Sequence, residues 1–252
     1  MELSIRMVES LINRVTSRIE AFYERHRASR IWFFYSGGKD SSAVLVALSE
    51  LAKKRPDILE RIIVLYTAVV GNTHYLNRKQ AYDNVKRFLP DHFSNFIQVL
   101  PKSREYVKAM LSTAKPPCFV ELNTVSWSYG KPYLDTIIQV GFPTVVSNPR
   151  GGLRFCCSEF KEKGWMLLPH EKGYRYIIVG EKASDSSMRR KKWFQAIESG
   201  LFELRFENDN VVEVSHSPIA DLRDEDVKAV LRHYNVELPS YRYGDSLNCI
   251  IC

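Results

Sequence analysis

Short apolar runs alternate along this chain with stretches whose apolar residues recur at helical spacing. Residues 31–35 (IWFFY), 61–66 (RIIVLY), 95–99 (NFIQV) and 175–179, flanked by Tyr174, are dominated by branched and aromatic residues. Runs of that length suit strands buried on both faces. Between them, residues 4–28 place Ile5, Val8, Leu11, Ile12, Val15, Ile19 and Phe22 on one helical stripe. Residues 42–54, 75–88 and 103–113 read as further helices. Strands alternating with helices predict an α/β fold: a doubly wound, mostly parallel sheet with helices on both faces. Ligands of such sheets sit at the carboxyl ends of the strands. Residues 116–152, rich in Pro, Gly and aromatics, are expected to be loops around one helix near 130–140. A hairpin is expected at 201–214, a short helix at 223–234, and an irregular C-terminal tail. The predicted organisation is an N-terminal helix (1–28) and one domain (29–252) with a cysteine-bearing C-terminal extension.

Composition narrows the setting. With 252 residues, 45% hydrophobic and 26% charged, the chain can bury one sizeable core. No apolar run approaches the roughly 18–20 residues that span a bilayer, so no membrane partner is expected. The N-terminus, MELSIRMVESLINR, is charged and amphipathic rather than signal-like, which makes a cytoplasmic protein the expectation. A net charge of +7 and a pI near 9.1 favour polyanionic partners such as nucleotides or nucleic acid; a merely solvated basic surface is the plain alternative. There are five cysteines, Cys118, Cys156, Cys157, Cys249 and Cys252. Four of them fall in two tight pairs, which reads as metal or redox chemistry rather than a disulfide framework.

The densest chemistry lies in Tyr35-Ser36-Gly37-Gly38-Lys39-Asp40-Ser41-Ser42, between a predicted strand and a predicted helix. Adjacent glycines let successive N–H groups turn into one concavity. The following helix points its positive end at the same place. Lys39 adds a full charge, and Ser36, Ser41 and Ser42 add hydroxyl donors. Asp40 can cap the helix or help hold Mg²⁺. The pattern is neither G-x-x-x-x-G-K-[ST] nor G-x-G-x-x-G.

S-G-G-K-D-S after the first strand resembles the signature of the PP-loop superfamily, the adenine-nucleotide alpha hydrolases. That resemblance implies ATP cleavage between the alpha and beta phosphates, adenylation of a substrate and pyrophosphate release, with Ser36 to Ser42 on the beta and gamma phosphates. Further segments resemble the phosphoadenosine phosphosulfate (PAPS) reductase branch: Gly71-Asn72-Thr73-His74; Arg154-Phe155-Cys156-Cys157-Ser158-Glu159-Phe160-Lys161; Gly180-Glu181-Lys182-Ala183-Ser184-Asp185-Ser186-Ser187-Met188-Arg189; and Ser217-Pro218-Ile219, then Pro239, Tyr241, Gly244, Cys249 and Cys252. The match runs in order from about residue 30 onward. It implies nucleotide contacts from Asn72, Thr73, Gly180, Lys182, Ser186 and Arg189, and catalytic roles for Lys39, Asp40 and Arg189. Read by chemistry alone, Lys182 and Arg189 to Lys192 can neutralise phosphates or a sulfate, or form a solvated face. Asn72 and Thr73 can bind a ribose or base, or simply shape a turn.

Four thiolates, Cys156, Cys157, Cys249 and Cys252, can hold a tetrahedral zinc or a [4Fe–4S] cluster. The pattern is similar to that of assimilatory adenylyl-sulfate reductases and of the PP-loop protein of DNA phosphorothioation, which implies [4Fe–4S]. Cys118 reads either as a reactive, persulfide-carrying thiol or as a buried one. Two departures separate this sequence from the reductases. It shows no counterpart of their E-C-G-[LI]-H segment, and it keeps the pyrophosphate loop they usually lose. Together these favour an ATP-dependent adenylating enzyme of sulfur transfer, using ATP, Mg²⁺ and a cluster. A nucleic acid (DNA or tRNA) is the expected acceptor, with a sulfur-donor protein as partner and homodimerisation open. The alternatives are a reductase that forms sulfite and a nucleotide-binding redox sensor without turnover.

Overall fold

A computed structural model gives the fold and describes residues 5–73, 75–140, 158–208, 210–236 and 238. Its elements in chain order are α1 (Ile5–His26), β1 (Ile31–Phe34), α2 (Lys39–Ala52), α3 (Pro56–Leu59), β2 (Ile62–Val69), α4 (Tyr75–Phe88), α5 (Pro90–Ser94), β3 (Phe96–Val99), α6 (Arg104–Thr113), β4 (Cys118–Thr124), α7 (Tyr133–Val140), β5 (Tyr174–Val179), α8 (Ser187–Glu198), β6 (Glu203–Asn208), β7 (Val211–His216) and α9 (Asp224–His233). Short helical turns at Ser158–Glu162, Lys163–Trp165 and Ala183–Asp185 complete the set.

The strands form one seven-stranded sheet in the order β3-β4-β2-β1-β5-β7-β6. Every neighbouring pair is parallel except β6 with β7, an antiparallel hairpin at the edge. Successive side chains of a strand point to opposite faces, so a strand covered on both sides is apolar at every position. In β1 and β2, Phe33, Val64 and Tyr66 pack with the buried stripes of α1, α2 and α9, while Trp32, Ile63 and Leu65 pack with Val107 and Leu111 of α6. Each such side chain contributes about 1.5–3 kcal/mol on full burial. The stripe of α1 is buried at Val8, Ile12, Val15, Ile19 and Phe22 as its spacing predicts. Arg18 of that helix pairs with Asp221 at 2.7 Å and lies over the Phe202 ring, tying the N-terminal helix to the β7–α9 connection.

One prediction is overturned. Residues 118–124, expected within a loop region, form β4, a fully buried interior strand between β3 and β2. Glu121 and Asn123 interrupt its apolar pattern and Pro116-Pro117 precede it, so it lacks the look of a buried run. The fold accommodates Glu121, which is 0% exposed, with Arg78 at 2.8 Å and the Tyr82 hydroxyl. Burial still pushes its carboxyl above the usual range, against the pull of Arg78. The helix near 130–140 is α7, and the expected hairpin is β6–β7, ending at His216. Helix α2 starts at Lys39 rather than Ser42, because the loop winds directly into it. The irregular tail lies almost wholly outside the described residues. No helix among the described residues is long and apolar enough to cross a membrane.

Candidate active site

The chain leaves β1 at its carboxyl end and turns into α2 through Tyr35, Ser36, Gly37 and Gly38. Gly37 has φ +75°, which favours glycine, and a Cβ there would stand 3.1 Å from Asn77 Oδ1. Gly38 caps α2 in an extended conformation, and its carbonyl accepts the Ser42 N–H at 2.9 Å. The first N–H groups of a helix lack intrahelical partners and point outward along its axis. Around them the hydroxyls form a small net. Ser36 Oγ lies 3.0 Å from Ser41 Oγ and accepts the Gly38 N–H at 3.2 Å. Ser42 Oγ faces the other way, 3.3 Å from the buried Tyr35 hydroxyl.

The neighbouring strand closes on this turn. At Gly180, just past β5, an added Cβ would lie 2.7 Å from the Ser41 backbone and 2.9 Å from the Asp40 carbonyl carbon. A side chain at 180 therefore collides with the first turn of α2, and only glycine lets the two backbones approach this closely.

Beside that contact sits Lys182, whose side chain is 0% exposed and whose Nζ pairs with Asp40 at 2.6 Å, Asp185 at 2.8 Å and Asp224 at 2.8 Å. Burial alone would push the Lys182 ammonium toward neutrality, but its three carboxylate partners outweigh it and raise its pKa. Asp185 is pushed up by burial and pulled further down by Lys182, for a net lowering. Asp224 is lowered chiefly by its hydrogen bond to Lys182. Lys39 stands 3.5 Å from both Asp40 and Asp224 at the edge of this group. The sequence reading grouped Lys182 with the cations of α8; the fold instead gives it to these carboxylates. Asp185 is three residues away, but Asp40 and Asp224 come from other segments, so no local pattern announces the full set.

A cleft of about 310 Å³ opens from the loop over the face of the sheet away from α2. Ser36, Ser41 and Gly180 line its loop end, Phe34, Thr67 and Trp165 its wall, and Arg189, Lys192 and Phe206 its mouth. Trp165 lies against Phe34, ring centroids 4.8 Å apart, and its indole donates to Thr67 Oγ1 at 3.1 Å. Arg189 pairs with Asp185, and Lys192 with Glu181 at 2.7 Å. Lys161 also lines the cleft.

Of the residues singled out from sequence, Ser36, Gly37, Gly38, Lys39, Asp40, Ser41, Gly180 and Lys182 converge on the start of α2, with Arg189 across the cleft. Ser42 supports the turn from behind. Ser186 caps α8, its hydroxyl accepting the Arg189 N–H at 3.1 Å. Asn72 and Thr73 form the turn after β2, where the Thr73 hydroxyl accepts the Val69 N–H at 2.8 Å and Asn72 is buried; neither lines the cleft. Cys118 is buried in β4, and burial pushes its thiol up to about 12, which removes the reactive alternative. His74, Cys156, Cys157, Cys249 and Cys252 lie outside the described residues. Among the described residues no group of three or more His, Cys, Asp or Glu is poised to hold a metal ion. Sequence reasoning missed Asp185 and Asp224 as partners of Lys182, and the amide side chains of α4 behind the loop.

No family model and no curated protein matches the chain. Among solved structures it is similar to phosphoadenylyl-sulfate (PAPS) reductase from Candida auris in a phosphate complex, at 11% identity and TM-score 0.46, covering 94% of this chain and 90% of that one. It is similar to NMN synthetase from Francisella tularensis at 10% identity and TM-score 0.47, covering 94% and 73%. It is also similar to a U34-tRNA thiolase from Methanococcus maripaludis with its [4Fe-4S] cluster, at 11% identity and TM-score 0.44, covering 91% and 65%.

Proposed function

We propose that the chain is an ATP-using enzyme of the PP-loop type, which cleaves ATP between the alpha and beta phosphates and adenylates an acceptor in sulfur transfer. The observation that carries this reading is the turn from Ser36 to Ser41, set at the carboxyl end of β1 with the start of α2 behind it and Gly180 pressed against it. Backbone N–H groups, a helix N-terminus and Lys39 suit the beta and gamma phosphates. The adjoining cleft offers aromatic walls for the nucleoside and an open mouth for the acceptor.

In this reading an oxygen of the acceptor attacks the alpha phosphorus, the bond to the beta-phosphate oxygen breaks, and pyrophosphate leaves on the loop. Lys39, the helix N-terminus and Arg189 stabilise the charge that develops on the departing group. Mg²⁺ takes one or two carboxylates plus phosphate oxygens. Asp40 and Asp224 fit that donor set, oxygen ligands beside Lys39, and Mg²⁺ would supply further charge neutralisation there. Lys182 holds both carboxylates in place. A [4Fe–4S] cluster on Cys156, Cys157, Cys249 and Cys252, and a nucleic-acid acceptor, belong to the proposal from the sequence pattern and the basic charge.

The test is pyrophosphate release from ATP by anaerobically prepared protein, with and without DNA or tRNA. Release that rises with nucleic acid and disappears in Lys39→Ala supports the reading. No release under any of these conditions sinks it. Iron content and a visible absorption spectrum of the same preparation separate cluster from zinc.

A further inference from the structure

Helix α4 has an unusual buried side. Asn77, Gln80 and Asn84, at positions i, i+3 and i+7, share one face and are all buried. Buried amides are costly unless hydrogen-bonded, and an apolar stripe would serve packing against the sheet equally well. Their partners give the reason for them. Gln80 Nε2 donates to the Gly37 carbonyl at 2.6 Å, and Asn77 Nδ2 approaches the Ser36 carbonyl at 3.4 Å and the Tyr66 hydroxyl at 3.1 Å. Asn84 Nδ2 donates to the Tyr35 hydroxyl at 3.1 Å, the same hydroxyl that lies 3.3 Å from Ser42 Oγ.

We infer that Gln80 and Asn77 are positioning residues of the phosphate loop: they hold two loop carbonyls back against α4 and so aim the Gly37 and Gly38 N–H groups at the phosphates. The inference rests on the phosphate-loop reading of the preceding section. Its physical basis is the planar trans peptide, in which C=O and N–H point in opposite directions. The Ser36 carbonyl shares its peptide with the Gly37 N–H, and the Gly37 carbonyl shares its peptide with the Gly38 N–H. Anchoring each oxygen behind the loop fixes each donor in front of it. The Gly38 N–H indeed points to Ser36 Oγ, on the cleft side. The close approach of Gly37 to Asn77 shows the loop seated directly on this helix. Preorganised donors need no reorientation when the anion arrives.

The test is calorimetric titration of the full chain with inorganic pyrophosphate in the presence of Mg²⁺, with melting temperatures measured alongside. Gln80→Met keeps the bulk and removes the donor; about 5- to 10-fold weaker binding is expected. Gln80→Glu sets an acceptor against the carbonyl; a loss of about 30-fold or more is expected at neutral pH. Relative to wild type, the Glu deficit should shrink toward pH 5, where a protonated carboxyl donates again, while the Met deficit stays constant. Asn77→Ser, which removes the longer bond, should cost about 2- to 3-fold and decides the matter if the Gln80 variants do not fold. Folded variants that bind like wild type overturn the inference. Equal losses for Met and Glu without pH dependence, tracking melting temperature, overturn it as well. Wild-type protein that binds no pyrophosphate overturns the phosphate-loop reading itself, and this inference with it.

Discussion

Replacing Gly180 with alanine adds one methyl group where β5 runs onto the start of α2. The new carbon would stand 2.7 Å from Ser41 Cα and N and 2.9 Å from the Asp40 carbonyl carbon. Ordinary carbon contacts lie at about 3.5–4.0 Å, so the backbone of α2 or β5 must move by roughly 0.7–1 Å to relieve the overlap. Neither can swing aside as a side-chain tip would, because both are held in regular structure. Overpacking of this kind costs about 1–3 kcal/mol, and alanine's smaller unfolded freedom returns about 0.4–1 kcal/mol. The net is about 1–2 kcal/mol, which for a chain of this size lowers Tm by about 2–8 °C. On the proposed function the effect on activity is larger, because the atoms displaced belong to the turn assigned there to the phosphates. A shift near 1 Å can cost about 100-fold in turnover. Gly130→Ala is the matched control: φ there is +67° and nothing lies within 4 Å of an added Cβ. It should cost stability through backbone strain and leave pyrophosphate binding unchanged. Thermal denaturation and pyrophosphate titration of both variants decide. A Gly180→Ala protein with wild-type binding would show that the close approach has no bearing on the site.

Lys182→Met removes the buried cation that Asp40, Asp185 and Asp224 share, leaving only Lys39 and Arg189 beside them, and should destabilise the fold by about 1–3 kcal/mol at pH 7 in chemical denaturation. In the wild type, Asp185 and Asp224 titrate low, so their share of stability is complete above the usual carboxylate range and falls away as pH drops through their folded pKa values. The Lys182→Met loss should accordingly narrow in acid. His92 and His216 are buried and held down to about 4 and about 3 by desolvation, so each stabilises the fold fully above pH 6.5 and less as pH falls toward those values. His216→Phe should flatten the acid limb of a stability–pH profile, and an unchanged profile counts against the neutral buried ring. Cys118 should resist alkylation in native protein at pH 8 and react only on unfolding, as mapped by mass spectrometry; rapid native labelling would contradict its burial.

Much of this architecture is legible from sequence because the parallel strands sit between two layers of helix. IWFFY and RIIVLY need no polar face, and their continuity announces that. Strand β4 is hidden for a specific reason: Glu121 is compensated by Arg78 and Tyr82 from α4, a relation between distant segments that no local window contains. The amides of α4 mislead in the same way. Asn77, Gln80 and Asn84 resemble the solvent face of a surface helix, and only the fold shows a loop lying on them. The tight strand-to-helix turn at Ser36–Ser42 is readable because its glycines and hydroxyls are neighbours in sequence. The cage around Lys182 was not, since its carboxylates come from α2, from the turn before α8 and from the start of α9.

The register of β1 has a consequence for how the molecule comes into being. Its partner on one side, Ile62, follows about thirty residues after Ile31, but on the other side Ile31 pairs with Tyr176, more than half the chain away. Contacts between remote segments are slow to form, since a long loop must close before any pairing rewards it. The seam that carries Gly180 and Ser41 is one of these late contacts. During synthesis the ribosome therefore releases the loop sequence long before the strand that seats it. Until β5 has emerged, the nascent chain exposes one edge of β1 and lacks the Gly180–Ser41 contact, so the seating of the Ser36–Ser41 turn waits on a strand made much later.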